Sequence, residues 1–345
     1  RAKPLVSLGV PTYNGADYLA ACLESIGRQT LDDYEVILVD DASDDHSHAI
    51  AQAYAAQDTR FRVYRNPQRL GLVSNWNRCL ELSRGEWIKL LFQDDLIEPR
   101  CLERLVHACR SRGQSFAFCH RAVKYDAAAP EPAREFFARH EQWLSDFYGP
   151  ADKYIGPAAF VRMAAAHPNW NPVGEPTVTL FHRSVLQRFG RFEPAMIQLC
   201  DAEYWLRLGS NVGVVHVAET LATFRVHGRS ATSQNLSKQE YALRYLEPLV
   251  ADYLVLHQKH YSRLRRELFR RSGRLTTWWR LIASAQDAWQ TAAAAGDGAL
   301  KQWSATTDAY PRLRRLARLG NRLAPLRAAL GVAGLLRPWK KSHAC

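Results

Sequence analysis

The stretch that decides the fold is Gly85-Glu-Trp-Ile-Lys-Leu-Leu-Phe-Gln-Asp-Asp-Leu-Ile-Glu-Pro99. Its apolar run from Trp87 to Phe92 has the length and composition of a buried central strand. The run ends in Asp94 and Asp95, and open α/β sheets bind their ligands at the carboxyl ends of such strands. Adjacent carboxylates repel each other unless a cation compensates them, and a divalent ion shared with substrate phosphates would do so. The alternative is that Asp95 caps a helix opened by Pro99.

Strand and helix patterns alternate around this stretch. Strands are predicted at residues 5–10, 35–41, 61–65 and 87–92, and helices at 16–28, 44–55, 73–85 and 99–112. The alternation predicts an α/β domain with a mainly parallel sheet covered by helices on both faces. The carboxyl ends of these strands should therefore meet at one edge of the sheet. Three of those ends carry polar residues: Pro11-Thr-Tyr-Asn14, Asp40–Asp41 and Asp94–Asp95. Because neither GxGxxG nor GxxxxGK[ST] occurs, phosphates at this edge would be held by a metal and scattered donors.

The pattern is less regular after Cys119. Residues 124–172 are predicted to mix loops with short helices, followed by a strand at 174–181 and helices at 183–189 and 200–208. Two more strands are predicted at 212–217 and 220–225, the second leading to His227, and the chain is helical from 237 onward. We therefore expect an α/β domain over residues 1–235, with halves at 1–123 and 124–235, and a helical, basic C-terminal region over 236–345.

The net charge of +12 belongs to the C-terminal part of the chain. Residues 259–345 carry 18 Lys and Arg against four acids, whereas residues 1–258 carry 28 basic and 30 acidic side chains. This asymmetry predicts two functional parts. The seven cysteines form no CxxC pattern and several lie in apolar runs, which favours a reducing compartment. No signal peptide or bilayer-length apolar stretch is found, so we expect a cytoplasmic protein.

Several motifs in order resemble those of the GT-A-type family 2 glycosyltransferases. They are Val6-Ser-Leu-Gly-Val-Pro-Thr-Tyr-Asn14, Val36-Ile-Leu-Val-Asp-Asp-Ala-Ser43, Gly85–Pro99, and Gly190-Arg-Phe-Glu followed by Cys200, Asp201 and Trp205. The resemblance covers about residues 4–230 and implies transfer of a sugar from a nucleotide donor to an acceptor hydroxyl, with inversion at the anomeric carbon. It implies a bacterial surface polysaccharide or glycolipid as the product class.

The resemblance also implies roles for single residues on the donor side. The nucleotide would be held by residues at three strand ends: Pro11, Thr12, Tyr13, Asn14, Asp40 and Asp94. Asp40 would accept an N–H of the base, which favours UDP or dTDP donors. A Mg²⁺ or Mn²⁺ ion would be bound by Asp94, Asp95 and His227. Phe92 occupies the first position of the family's DxD motif, which is usually acidic.

On the acceptor side, Asp201 matches the general base of the family, with Cys200 in place of the usual Glu. A carboxylate suits that role, because inversion needs a base on the face opposite the leaving group. Gly174, Glu175 and Trp205 would lie near the acceptor and the donor sugar, although Trp205 also fits the core face of a helix. Each residue alone has a structural alternative: Asp40 could start a helix, Asp201 could be a helix-terminal charge and His227 could be solvated.

The basic C-terminal region adds a partner hypothesis. Seven arginines lie among Leu and Trp in residues 259–280, and residues 310–345 have nine Lys and Arg and no acid. Leu316, Leu319 and Leu323 begin an apolar stripe that continues to Leu330, and Pro325 is expected to break or kink this helix. A basic amphipathic helix near Trp339 suits an anionic membrane surface, which would place the protein peripherally at the inner face of the membrane, beside a glycan or lipid-linked acceptor. No nucleic-acid module accompanies the charge.

Two rival functions remain open. Phe92 and Cys200 at usually acidic positions would also suit a GT-A-fold scaffold or binding subunit that has lost turnover. A nucleotidyltransferase would keep the fold, but the lack of a Gly-rich phosphate loop argues against it.

Overall fold

A computed structural model describes residues 3–127, 129–167, 171–230, 233–234 and 240–329. The chain divides into two compact units: the first comprises residues 1–160, 171–194 and 200–233, and the second comprises 161–170, 195–199 and 234–345. No helix in the described part is both long and apolar enough to cross a membrane.

Nine strands of the described chain form one sheet, in the order β3-β2-β1-β4-β8-β6-β9-β5, with β7 pairing with β9. The strands are β1 (Val6–Thr12), β2 (Tyr34–Asp40), β3 (Phe61–Arg65), β4 (Trp87–Leu90), β5 (Leu96–Ile97), β6 (Phe116–Tyr125), β7 (Lys153–Ile155), β8 (Thr179–His182) and β9 (Val214–Val226). Strands β1 to β4 are mutually parallel, as are β6 and β9, whereas β5, β7 and β8 pair antiparallel with their neighbours. The prediction of a mainly parallel α/β sheet is confirmed.

The helices follow in chain order. They are α1 (Ala16–Gly27), α2 (Ser47–Gln57), α3 (Leu72–Leu82), α4 (Cys101–Arg110), α5 (Glu131–Tyr148), α6 (Pro157–Ala166), α7 (Arg183–Phe189), α8 (Cys200–Val212), α9 (Glu247–His257), α10 (Ser262–Ser272), α11 (Arg274–Ala295), α12 (Asp297–Ala309) and α13 (Arg312–Ala329). Helix α1 shows why these segments fold as they do, since Leu19, Cys22, Leu23 and Ile26 recur at helical spacing and are all fully buried.

Three local predictions were wrong. Residues 124–172 contain the 18-residue helix α5, not only short helices. The two strands expected at 212–217 and 220–225 are one continuous strand, β9, whose pairing with β6 shifts register near His120. The strand expected from Gly174 begins only at Thr179, after a single turn of 3₁₀ helix over Pro176–Val178.

The second unit is helical, as expected for the C-terminal region. Helix α13 packs against α11, where Gly320 lies close to Ile282 and Gln286, and Leu313 and Ala317 are also buried. Leu319, in the predicted apolar stripe, is 41% exposed. Helix α13 also continues through Pro325 and does not break there. The predicted features at Leu330, Trp339 and the adjacent lysines lie outside the described residues.

Candidate active site

Asp94 and His227 meet at the carboxyl edge of the sheet. Asp94 lies in the turn after β4, and His227 directly follows β9. The short strand β5 pairs antiparallel with β9, Leu96 opposite Thr223, and this pairing carries the turn to the end of β9. His227 Nε2 lies 3.0 Å from Asp94 Oδ2, and the His227 ring stacks on Tyr18 with centroids 4.3 Å apart. The sheet thus brings together two residues that the sequence assigned to one metal.

The main chain at Asp94 is held by Arg225 of β9. The Arg225 Nε donates to the backbone carbonyl of Asp94, and its guanidinium lies 4.9 Å from the centroid of the Tyr18 ring. Tyr18 in turn donates its hydroxyl to Asp126 at 2.7 Å. These side chains fix the position of the turn while leaving the Asp94 carboxylate partly exposed.

Asp95 has neither of its predicted roles. It is fully buried; Oδ1 accepts the backbone N–H of Arg225 at 3.1 Å, and Oδ2 accepts the hydroxyl of Thr177 at 2.5 Å. Burial and the neighbouring Asp94 carboxylate raise the pKa of Asp95 well above its usual range. A carboxyl group bonded inside the protein is not available to an ion in the cleft, and α4 begins only at Cys101, so Asp95 does not cap it.

The predicted nucleotide residues lie on the neighbouring strands β1 and β2. Thr12 pairs with Asp40 in the parallel register, and Pro11, Thr12 and Asp40 are buried. Asp40 Oδ2 lies 3.3 Å from both the Ser43 N–H nitrogen and the Arg65 Nε. Asp40 Oδ1 is also buried but has no hydrogen-bond partner in the described part of the chain. A buried carboxylate oxygen without a partner is an acceptor that a ligand N–H can satisfy.

Gln93 connects these strand ends to Asp94. Its side chain accepts the Tyr13 N–H at 2.9 Å and donates to the Tyr13 carbonyl at 3.0 Å. The Tyr13 ring is half-buried, with the Arg69 guanidinium 4.1 Å from its centroid. Asn14 adopts a left-handed conformation with φ 46°, and its side chain accepts the Asp44 N–H at 2.9 Å. The loop after β1 is therefore fixed before any ligand binds.

Asp201 lies in the first turn of α8, next to the segment that follows residue 170. Asp201 Oδ2 accepts the side-chain N–H of Asn171 at 3.1 Å. Further along this segment, Glu175 pairs with Arg121 at 2.9 Å, and Thr177 donates to Asp95. The segment over residues 171–177 therefore contacts Asp201 at one end and the turn containing Asp94 at the other. Cys200, in the position usually held by Glu, is buried.

Trp205 is a core residue. It is fully buried in α8, stacks on Phe116 with centroids 5.3 Å apart, and donates its indole N–H to the Gly174 carbonyl at 2.7 Å. The prediction that placed Trp205 beside the sugar is therefore wrong, and its role is to hold the loop at Gly174. Gly174 itself has φ +109°, a conformation that favours glycine.

The residues at this edge fit a divalent ion only in part. Cis ligands on an octahedral ion with bonds of about 2.1 Å lie about 3 Å apart, which matches the 3.0 Å between Asp94 Oδ2 and His227 Nε2. No group of three or more His, Cys, Asp or Glu side chains suited to a metal occurs among the described residues. A site of two protein ligands is the kind that Mg²⁺ or Mn²⁺ completes with substrate phosphates and water.

Four contributors escaped sequence reasoning. Gln93, Tyr18, Arg225 and Asn171 all act through contacts with residues distant in the chain. Gln93 lies within the quoted stretch Gly85–Pro99, but nothing in the sequence marks its contact with Tyr13. Asn75 and Asn77 of α3 are buried. Asn75 donates to the Val39 carbonyl at 3.0 Å and Asn77 donates to the Phe192 carbonyl at 2.9 Å.

Comparison with known proteins identifies the protein family to which this chain belongs. The profile of glycosyl transferase family 2 matches residues 7–189, and the chain belongs to this family. An uncharacterized protein of Mycobacterium tuberculosis, MT1568, is 32% identical over 73% of this chain and 78% of its own length. TuaG of Bacillus subtilis, named for a proposed role as a teichuronic acid biosynthesis glycosyltransferase, is 33% identical over 34% of this chain and 46% of its own.

Two solved structures share the fold. S. aureus TarS 1–349 in complex with UDP-GlcNAc has a TM-score of 0.59 at 14% identity, covering 94% of this chain and 92% of that chain. The mannosyltransferase PcManGT of Pyrobaculum calidifontis, in complex with GDP-Man and Mn²⁺, has a TM-score of 0.54 at 19% identity, covering 99% and 89%. At these identities the likeness establishes the GT-A fold and nothing finer.

Proposed function

We propose that this family 2 glycosyltransferase is an inverting, metal-dependent enzyme that transfers a sugar from a UDP or dTDP donor to an acceptor hydroxyl. The observation that carries the proposal is the 3.0 Å approach of His227 Nε2 to Asp94 Oδ2 at the edge where α/β sheets bind nucleotides. PcManGT, which shares the fold, was solved with a nucleotide sugar and Mn²⁺. Relatives such as TuaG support a surface polysaccharide as the product class.

The nucleotide base would lie against the ends of β1 and β2. The unpartnered Asp40 Oδ1 is suited to accept the N3–H of uracil or thymine, a donor that both bases present to a carboxylate. Tyr13, with Arg69 over one face, offers an aromatic surface at the same loop. Pro11 and Thr12 lead into this loop, Asn14 holds it through the bond from the Asp44 N–H, and Gln93 holds it against the turn that carries Asp94.

Asp94 and His227 would hold Mg²⁺ or Mn²⁺ together with the donor diphosphate. The ion, when bound, supplies positive charge that stabilises the leaving nucleoside diphosphate. The protein's own contribution is to orient the two ligands, through Arg225 on the Asp94 carbonyl and the Tyr18 ring stacked on His227. Asp95, buried beneath, stabilises the turn and takes no part in binding the ion.

Asp201 would act as the general base. Its carboxylate takes the proton of the acceptor hydroxyl while the acceptor oxygen forms a bond to the anomeric carbon and the bond to the diphosphate oxygen breaks on the opposite face. The nucleoside diphosphate leaves with the bonding electron pair, and attack from the opposite face inverts the anomeric carbon. Gly174 and Glu175, in the segment that reaches Asp201, would border the acceptor, with Glu175 held by Arg121.

The test is turnover of UDP- and dTDP-sugars with and without Mn²⁺, for the wild type and Asp201→Asn. We expect metal-dependent release of the nucleoside diphosphate that falls by about 10²–10⁴ in the variant, the usual contribution of a general base. Nucleotide binding without turnover over a broad donor panel would instead identify a non-catalytic scaffold. Cys200, which is buried, and Phe92, whose ring lies 4.7 Å from that of Trp76, are the residues that motivate this alternative.

We further propose that the second unit lies on an anionic membrane surface at the cytoplasmic side, which would bring the enzyme to a lipid-linked acceptor. Helices α10 and α13 expose a series of arginines, among them Arg263, Arg266, Arg312, Arg315 and Arg318. These exposed arginines would make the attraction mainly electrostatic.

A further inference from the structure

The Asn171 side chain uses both ends of its amide. Its Oδ1 accepts the backbone N–H groups of Val173 at 3.1 Å and Gly174 at 3.0 Å. Its Nδ2 donates to the Gly174 carbonyl and to Asp201 Oδ2, both at 3.1 Å. The two backbone N–H groups require an acceptor, so they fix which end of the amide is oxygen. The Nδ2 end is thereby directed at Asp201.

We infer that Asn171 is a positioning residue that holds the Asp201 carboxylate oriented and ionised for proton abstraction. This inference rests on the proposed role of Asp201 as general base. Asn171 does not act on the substrate itself; it acts through Asp201. An N–H donor favours the charged form of a carboxylate over the neutral form, because only the charged oxygen is a strong acceptor. The same bond removes the freedom of the carboxylate to rotate.

Helix α8 is attached to the turn formed by residues 171–174 at two points. Asp201 and Trp205 are four residues apart, so they lie on the same face of the helix. Asp201 accepts from the Asn171 side chain, and Trp205 donates to the Gly174 carbonyl at 2.7 Å. Because Trp205 is fully buried, its contact fixes the helix against the turn. The distance between Asn171 and Asp201 is therefore set by the protein core.

His140 fixes the other side of the turn. Its Nε2 lies 2.9 Å from the Asn171 carbonyl, and its Nδ1 lies 3.4 Å from an Arg121 guanidinium nitrogen. Arg121 can only donate, so Nδ1 is the acceptor and Nε2 carries the proton donated to Asn171. Burial and the Arg121 charge lower the pKa of His140, which keeps this tautomer neutral. Arg121 is itself held by Glu141 at 2.8 Å and Glu175 at 2.9 Å.

The variant Asn171→Asp tests the positioning of Asp201 separately from the formation of the turn. An aspartate at this site keeps the acceptor for the Val173 and Gly174 N–H groups but has no donor for Asp201, and it adds a like charge. We expect kcat to fall at least about tenfold, the donor KM to stay within about twofold, and the acid limb of the kcat–pH profile to move up by about one pH unit, because a neighbouring carboxylate disfavours ionisation. Asn171→Ala should also lower kcat and, by losing the turn, lower the Tm.

Asn211→Ala is the matched control. Asn211 also lies on α8 and donates its amide to a backbone carbonyl, that of Arg207, at 2.8 Å, but it is ten residues from Asp201. It should keep kcat and the pH profile of the wild type. If Asn171→Asp keeps both as well, Asn171 only forms the turn and the inference is wrong. Asp201→Asn, measured alongside, separates the two claims: turnover at the wild-type rate in that variant would overturn the proposed base itself.

Discussion

His227 Nε2 lies 3.0 Å from Asp94 Oδ2, although 133 positions separate the two residues in the chain. The approach depends on β5, a strand of two residues whose pairing with β9 carries the turn after β4 to the end of β9. A two-residue strand has little stability of its own, so the surrounding contacts maintain it. These are the bonds from Arg225 to the Asp94 carbonyl and to Asp95 Oδ1.

Asp94→Asn should uncouple nucleotide binding from the metal. We expect Mn²⁺ to tighten UDP binding to the wild type at least about tenfold and to have little effect on the variant, because the amide is a weak ligand for a hard cation. Isothermal titration with UDP, with and without Mn²⁺, measures this directly. Asp44→Asn, an exposed carboxylate on the neighbouring loop, is the control. An equal Mn²⁺ effect in wild type and Asp94→Asn would rule out Asp94 as a ligand.

Asp40→Asn should weaken binding of uracil and thymine nucleotides. In the proposed complex the unpartnered Oδ1 would accept the base N–H, and a hydrogen bond to a charged group is worth about 1.5–3 kcal/mol, so the Kd for UDP should rise about tenfold or more. Asp58→Asn, which removes a surface ion pair with Arg60, is the matched control and should leave the Kd unchanged. Equal affinity of Asp40→Asn and the wild type for UDP would show that Asp40 does not contact the base.

The strand ends were predictable, but the directions of their side chains were not. The run from Trp87 to Phe92 indicated a buried strand, yet it includes Lys89, which is fully buried and donates to the carbonyls of Thr177 and Thr179. These partners lie some 90 residues away in the chain, and hydrophobic periodicity, which is a local pattern, does not predict such distant contacts. Asp95 was misplaced for the same reason, because its orientation depends on the return strand β5, which is too short to produce a pattern.

Helix α5 could have been found in the sequence. Among the side chains of α5 that the structure describes, the buried ones are spaced by three or four positions, which is the periodicity of an amphipathic helix: Ala133, Phe137, His140, Leu144 and Tyr148. The polar His140 interrupts the apolar periodicity, so the pattern was not recognised as a long helix. The Asn171 turn, in contrast, left no signal, because its bonds to Asp201 and His140 join segments that only the folded sheet brings together.

Glu247 makes a pH-dependent contribution to stability. Its buried carboxyl faces the backbone N–H groups of Ile197, Gln198 and Leu199 at 2.8–2.9 Å, but burial outweighs them and raises its pKa to about 7. Between pH 4.5 and 7 the folded state keeps a proton that the unfolded state has released. The free energy of unfolding should therefore fall as pH rises through this window, by at most about 1.4 kcal/mol per pH unit.

Glu247→Gln has no group to titrate, so the difference between wild type and variant isolates this effect. Urea unfolding at pH 5, 6, 7 and 8 should show the wild type losing stability relative to Glu247→Gln up to about pH 7, with no further change above it. Glu24→Gln, at an exposed position of α1, should show no such trend. A relative stability that rises with pH would mean that the three N–H groups hold the carboxylate ionised.

Exposed arginines on α13 should govern binding to anionic membranes. Arg315 and Arg318 are exposed, so attraction to an anionic surface should come from their charge. Each basic side chain near such a surface contributes about 1 kcal/mol to binding. The double variant Arg315→Glu/Arg318→Glu should therefore lower partitioning onto phosphatidylserine vesicles at least about tenfold.

The control is the double variant Arg28→Glu/Arg188→Glu, which changes the net charge by the same amount at exposed positions of the first unit. It should bind as the wild type does. Vesicle flotation at 50 and 300 mM salt measures both, since screening should weaken wild-type binding. Equal loss in both variants would show that net charge alone drives adsorption, and no loss in either would remove α13 from the membrane hypothesis.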